Sequence, residues 1–217
     1  MSQSRNIRLT VAALLALILV IVGGFVYRIS LPRVMTEAEM KVNGLYLLET
    51  PRHFGELDLV DQHGAAFGRE RFEGRWSLVF FGFTFCPDIC PTTMAFLDEF
   101  VASLDGTEAA DTQVVMVSVD PARDTEEQLA GYVPFFNPDF IGVTGEFLDI
   151  HRFATALNTP FRKVPGQDEN YLVDHSANVV LINPRGDYHG FFKAPLDLAK
   201  MKTTYRSARL LWDQAYN

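Results

Sequence analysis

Gly82-Phe83-Thr84-Phe85-Cys86-Pro87-Asp88-Ile89-Cys90-Pro91-Thr92-Thr93 holds both cysteines of the 217-residue chain, with three residues between them. The apolar run Trp76–Phe83 leads into it, and a helix-like segment, Pro91–Leu104, leads out. An unbroken apolar run of this kind is the pattern of a central strand buried on both faces. Proline is favoured at the start of a helix, where its missing N–H has no intrahelical partner to lose. Pro91 therefore places Cys90 at or near the N-cap and Cys86 in the turn before it. A helix N-terminus carries partial positive charge and free N–H groups, which favour thiolate over thiol. The pair is thus placed to bind a soft metal or to cycle between dithiol and disulfide. The close spacing and flanking prolines argue against two inert thiols. A static disulfide here would close a very short loop, and short loops stabilise least.

Working outward, Asp105–Thr112 reads as a polar loop and Gln113–Val119 as a second buried strand. It ends in Asp120-Pro121-Ala122-Arg123-Asp124-Thr125, where Asp124, with Glu127 three residues on, reads as the N-cap of a helix to about Phe135. Phe140–Val143 reads as a short strand, Glu146–Leu157 as a helix, Phe161–Val164 as extended and Gly166–Glu169 as a polar loop. Tyr171–His175 leads into a strand over Asn178–Ile182; the turn Asn183–Asp187 joins it to Tyr188–Phe192, and Asp197–Tyr216 is a terminal amphipathic helix. Upstream, Phe54–Val60 and Ala65–Phe67 flank turn residues in a hairpin. Strands alternating with helices predict an α/β class, a central sheet flanked by helices. A reactive Cys pair at the end of the first buried strand, opening the next helix, is the thioredoxin arrangement with one residue more than C-x-x-C.

The chain carries a net charge of −8. Arg5, Arg8, Arg28 and Arg33 lie before Val34, so the remainder has 15 basic against 27 acidic residues, or −12. An acidic domain without a basic patch predicts no nucleic-acid partner. Leu9–Val26 is 18 residues without a charge. As a helix it spans roughly 27 Å, close to the ~30 Å of bilayer hydrocarbon. Gly23-Gly24-Phe25-Val26-Tyr27-Arg28 does not read as a small-x-small cleavage site. The expected organisation is a cytoplasmic N-terminus over residues 1–8, a transmembrane anchor over 9–27, a tether over 28–43 and one domain over 44–217. Within the tether, Glu37–Val42 reads as a short helix.

Two thiolates are a soft donor set, suited to Cu(I), zinc or iron–sulfur clusters. With no further cysteine, a tetrahedral structural zinc site cannot be completed by sulfur. A histidine can complete a Cys₂His set for copper, which accepts low coordination. Of the five histidines, His175 in Tyr171-Leu172-Val173-Asp174-His175-Ser176 lies where an apolar stretch meets a polar turn beside a strand, and it is the choice here. His53, His63, His151 and His189 have weaker contexts. Asp174 reads as a turn residue or an acceptor orienting His175, Asp120 as turn chemistry and Asp88 as solvated.

At this point the chain resembles the Sco/SenC family of membrane-anchored copper proteins that serve cytochrome c oxidase assembly. The resemblance is carried by Gly82–Pro91, by Ser118-Val119-Asp120-Pro121-Ala122-Arg123-Asp124-Thr125 and by Tyr171–Ser176, supported by Gly142–Gly145 and Asn183–Gly186. It covers about Phe54 to the C-terminus. It implies a thioredoxin-like fold, with Cys86, Cys90 and His175 as ligands of Cu(I), and of Cu(II) as a second state. It implies the binuclear copper site of cytochrome c oxidase subunit II as target and a copper donor protein upstream. Phe85 departs from the polar or His residue that many members carry before the first Cys, which makes the entrance more apolar.

Two functions are compatible with these residues. One is a copper metallochaperone. The other is a thiol–disulfide oxidoreductase using Cys86 and Cys90 as a redox pair to reduce a partner's cysteines. A peroxidatic reading is weaker, because Thr84 precedes Cys86 by two residues rather than three. Both leading readings require an oxidising compartment. With no long Arg- and Ser-rich leader, the expected location is a bacterial inner membrane, single-pass, with the domain in the periplasm.

Overall fold

The computed structural model describes residues 2–30, 34–165 and 171–216, the side chains of 2–6 and 30 excepted. The chain divides into two compact units, Met1–Val34 and Met35–Asn217.

The first unit is one helix, α1 (Ser2–Ser30). Its segment Ile7–Ile29, 23 residues, is long and apolar enough to cross a membrane, and its described side chains are exposed. An exposed apolar helix surface is what a membrane span presents.

The second unit opens with α2 (Glu37–Val42). Thr36 and Glu39 close a capping box on it, and Met40 is its buried residue. The Met35 N–H also donates to Ser207 Oγ at 3.2 Å. There follow β1 (Leu45–Arg52), β2 (Leu59–Asp61), β3 (Ala66–Phe67), β4 (Trp76–Gly82) and α3 (Ile89–Ala102). Next come α4 (Gly106–Ala110), β5 (Thr112–Ser118), α5 (Glu126–Tyr132), β6 (Ile141–Gly145) and α6 (Phe147–Ala156). The chain ends with the short β7 (Arg162–Lys163) and β8 (Val173–Asp174), then β9 (Val179–Ile182), β10 (Tyr188–Phe192) and α7 (Leu198–Tyr216).

Eight strands form one sheet in the order β1-β10-β9-β4-β5-β6-β2-β3. β4, β5 and β6 are parallel neighbours, so their carboxyl ends share one edge, and the remaining pairs are antiparallel. All seven residues of β4 are buried, as its unbroken apolar run predicts. The core is aromatic: Phe72, Phe80, Phe81, Phe83, Phe100 and Phe153 have no more than 1% of their surface exposed. This is the expected α/β, thioredoxin-like sheet flanked by helices.

Three local expectations are corrected. The polar loop at Asp105–Thr112 contains α4, closed by a capping box between Asp105 and Glu108. The strand β1, which pairs with β10 at the sheet's edge, has no counterpart in the sequence reading. The helix α5 is capped not by Asp124 but by Thr125, whose hydroxyl accepts from the Gln128 N–H at 3.2 Å. The expected loop Gly166–Glu169 lies outside the described residues.

Candidate metal centre

β4 ends at Gly82, and the Cys86 N–H donates to the Phe83 carbonyl at 3.2 Å in the turn that follows. Asp88 occupies the N-cap of α3, so Cys90 lies inside the first turn rather than at the cap. Cys90, expected at or near the N-cap, lies two residues past it. Cys86 is half-buried and Cys90 fully buried, and both thiols are free. The Cys90 N–H points at Cys86 Sγ, 3.4 Å away. A Cβ at position 82 would stand 3.0 Å from Cys90 Sγ, so glycine there gives the sulfur its room.

Helix-terminal charge does not decide the state of Cys90. Burial pushes its thiol pKa up, and Cys86 adds to the rise, against the lowering by the Phe83 backbone. Burial thus works against the thiolate preference expected from sequence at this position. At neutral pH Cys90 is a thiol.

Its sulfur lies 3.5 Å from Nε2 of His175. The other ring nitrogen, Nδ1, lies 3.1 Å from the Ser176 carbonyl, which can only accept. Nδ1 therefore carries the proton and Nε2 turns its lone pair toward the sulfurs. Burial lowers the His175 pKa, opposed by the Ser176 and Phe81 backbone and by Asp174, so the ring is neutral. Phe80 and Phe83 flank it in T-shaped contacts, with ring centroids 5.9 and 5.8 Å away. Candidate donor atoms of Cys86, Cys90 and His175 all lie within 4.8 Å of one another. Among the described residues this is the one group of three or more His, Cys, Asp or Glu side chains so placed. Two sulfurs and a neutral imidazole can hold a soft or borderline metal ion, and the two sulfurs can exchange two electrons.

The remaining sequence candidates lie elsewhere. His53 accepts from the Gly55 N–H at 3.0 Å, His63 is exposed in its turn, and exposed His151 stands beside Phe147 and Phe161. His189 is buried between Trp76 and Trp212. Asp174 faces Arg162 at 3.3 Å, while the Ser176 carbonyl holds the His175 ring. Asp88 is exposed.

Sequence reasoning missed the part played by Asp120 and Asp124. Asp124 is fully buried; it accepts from Thr84 N–H at 3.1 Å, Thr84 Oγ1 at 2.7 Å and Ser118 Oγ at 2.7 Å. Burial raises its pKa, opposed by the Thr84 and Ser118 hydrogen bonds. It thereby ties the turn before Cys86 to the end of β5. Asp120 is buried too, and accepts from the Tyr171 hydroxyl at 2.6 Å. The signal was present as two cap-forming residues in succession, Asp124-Thr125, of which only one can cap. Around the centre Phe85, Ile89 and Leu172 are exposed, and a cavity of about 420 Å³ opens beside His175 between Pro160, Phe161, Arg162 and Asp174.

Comparison with known proteins gives the chain its relatives. A family model described as SCO1/SenC matches residues 47–208. A putative copper-binding protein of Stutzerimonas stutzeri is 40% identical over 152 residues, 70% of this chain and 74% of its own. The human protein SCO1 homolog, mitochondrial, is 34% identical over 152 residues, and the match spans 66% of this chain but only 50% of that protein. The crystal structure of Arabidopsis thaliana ScoI with copper bound superposes with a TM-score of 0.66 at 31% identity. It covers 73% of this chain and 98% of its own.

Proposed function

Because the chain belongs to the SCO1/SenC family, we propose that it is a membrane-anchored copper metallochaperone whose cargo is held by Cys86, Cys90 and His175. The observation that carries the reading is the convergence to within 4.8 Å of three donor groups, from the turn after β4, the first turn of α3 and the loop after β8. Two sulfurs suit Cu(I), which tolerates low coordination, and the imidazole nitrogen extends the set toward Cu(II). Binding requires the proton to leave Cys90, so copper is taken up against a proton and held more weakly as pH falls. The named relatives support copper as the cargo, one described as a copper-binding protein and one solved with copper bound. The finer reading follows from the family resemblance. The chain receives copper from a donor protein and passes it to the binuclear site of cytochrome c oxidase subunit II. It works from a bacterial inner membrane, with α1 as a single span and the second unit in the periplasm.

A second reading is favoured by the unequal exposure of the sulfurs. A half-buried Cys86 and a buried Cys90 are the arrangement of an attacking and a resolving thiol. Cys86 would open a partner disulfide to a mixed disulfide, and Cys90 would displace the partner. Two electrons and the partner's free thiols would then be accounted for by one disulfide in this chain.

The deciding experiment is a Cu(I) titration of the reduced full chain in detergent micelles against a competing chelator. One equivalent is expected, with affinity lowered by about 10-fold or more in Cys86→Ser, Cys90→Ser and His175→Ala. Absence of a stoichiometric equivalent in the wild-type chain would sink the chaperone reading. Reduction of a partner disulfide that survives His175→Ala and disappears in Cys86→Ser would then establish the second.

A further inference from the structure

The main sheet joins the two ligand-bearing loops on one side, where β9, which begins four residues after His175, pairs with β4, Val179 opposite Phe80. Cys86 lies four residues beyond the end of β4, and on its other side the His175 loop leads back into β8, which pairs with β7 in a separate two-stranded ribbon. Beyond this strand pair, Arg123 ties the two loops together a second time, on the ribbon side. Its side chain is 15% exposed and lies in the turn after β5. Nε donates to the Asp120 carboxylate. Nη2 donates to the Tyr171 carbonyl at 2.8 Å. The guanidinium carbon sits 3.7 Å from the Tyr171 ring centroid, 4.8 Å from that of Phe85 and 5.8 Å from that of Phe83. The Tyr171 hydroxyl closes the circuit by donating to Asp120 at 2.6 Å.

Phe85 is the residue before Cys86, and Tyr171 stands four residues before His175. One planar cation thus grips the loop of each ligand: by stacking on the Cys side, by stacking and a backbone hydrogen bond on the His side. Arginine alone among the side chains has the fork and the flat face for both.

We propose that Arg123, oriented by Asp120, is the positioning residue that holds His175 against the Cys pair. It thereby decides how fully the imidazole takes part in binding. This rests on the reading that the three residues form one metal centre. Two sulfurs suffice for Cu(I), while Cu(II) draws more on nitrogen. Loosening the clamp therefore weakens Cu(II) retention more than Cu(I) retention.

The test uses the full chain in micelles with ¹⁵N-labelled histidines. In the metal-free wild type the two His175 nitrogens are expected to report a single tautomer with the proton on Nδ1. In Arg123→Ala they are expected to move toward averaged values. With copper, Arg123→Ala is expected to lose about 10–100-fold in Cu(II) affinity and clearly less in Cu(I) affinity. The double variant with His175→Ala is expected to be no worse than His175→Ala alone, because the clamp acts through that ring.

Tyr171→Phe, which removes only the hydroxyl bond to Asp120, is expected to move the nitrogens the same way. It stands in if Arg123→Ala fails to fold by circular dichroism. Unchanged His175 nitrogens in a folded Arg123→Ala or, in its place, Tyr171→Phe would overturn the proposal, as would full additivity with His175→Ala. If wild type takes no copper, the function reading falls, yet the metal-free nitrogen pattern still decides the clamp.

Discussion

His175 and His189 share a side chain and little else. His175 keeps one nitrogen bonded to a carbonyl and turns the other to sulfur. His189 is packed edge-on to Trp76 and Trp212 at ring distances of 5.2 and 5.5 Å, with Nδ1 buried and unpartnered. Burial pushes its pKa down to about 4. The unfolded chain, near the ordinary 6.5, therefore takes up the proton first. The stability contributed by neutral His189 is complete above that pH and is lost as pH falls toward 4. Urea unfolding at pH 7.5 and 4.5 is expected to show about 2–3 kcal/mol of acid destabilisation in wild type that is missing from His189→Phe. An equal loss in both proteins would show that His189 does not carry it. The sequence set His175 apart by its position between an apolar stretch and a polar turn. Buried aromatic company for His189 was not legible, because Trp76, His189 and Trp212 come together only through the sheet and α7.

Among the elements, legibility tracked how much of an element's pattern is local. β4 was readable because both of its faces are buried, and α6 and α7 because their periodicity is their own. β1 was not, since Leu45-Tyr46-Leu47-Leu48-Glu49-Thr50-Pro51-Arg52 mixes apolar, charged and proline residues as an edge strand may. Its place depends on Gly190 across the pair. A Cβ there would fall 2.4 Å from the Tyr46 carbonyl oxygen and 3.0 Å from Leu47 Cα, backbone atoms that cannot turn aside. Gly190→Ala is expected to cost about 3 kcal/mol and to speed hydrogen exchange at Tyr46 and Leu47. A wild-type urea midpoint would show that β1 docks without this close approach. The turn Asp120–Asp124 teaches the same lesson. Its residues look like a helix start, yet the carboxylates and Arg123 reach to Thr84, Phe85 and Tyr171, some 40 to 50 residues away.

At the scale of the molecule, an apolar helix and an acidic α/β body divide the chain at Val34. The body, Met35–Asn217, has its own core and an N-terminal segment secured by the Thr36 capping box and the Met35 bond to Ser207. A chain beginning at Met35 is expected to stay soluble without detergent and unfold in one cooperative transition, checked by circular dichroism on heating. Aggregation or a sloping transition would show that the body leans on what precedes it. To anything approaching from outside, this body offers one sulfur of its two: Cys86 is within reach, and Cys90 is sealed beneath it. A cargo held between them can be met by an incoming thiol only on the Cys86 side, so Cys90 is the last to let go. For copper bound there as proposed, release by thiol exchange is expected to follow a second-order rate law, fast where an acceptor is abundant and slow where there is none. The same burial that makes Cys90 a poor acid guards against spontaneous escape.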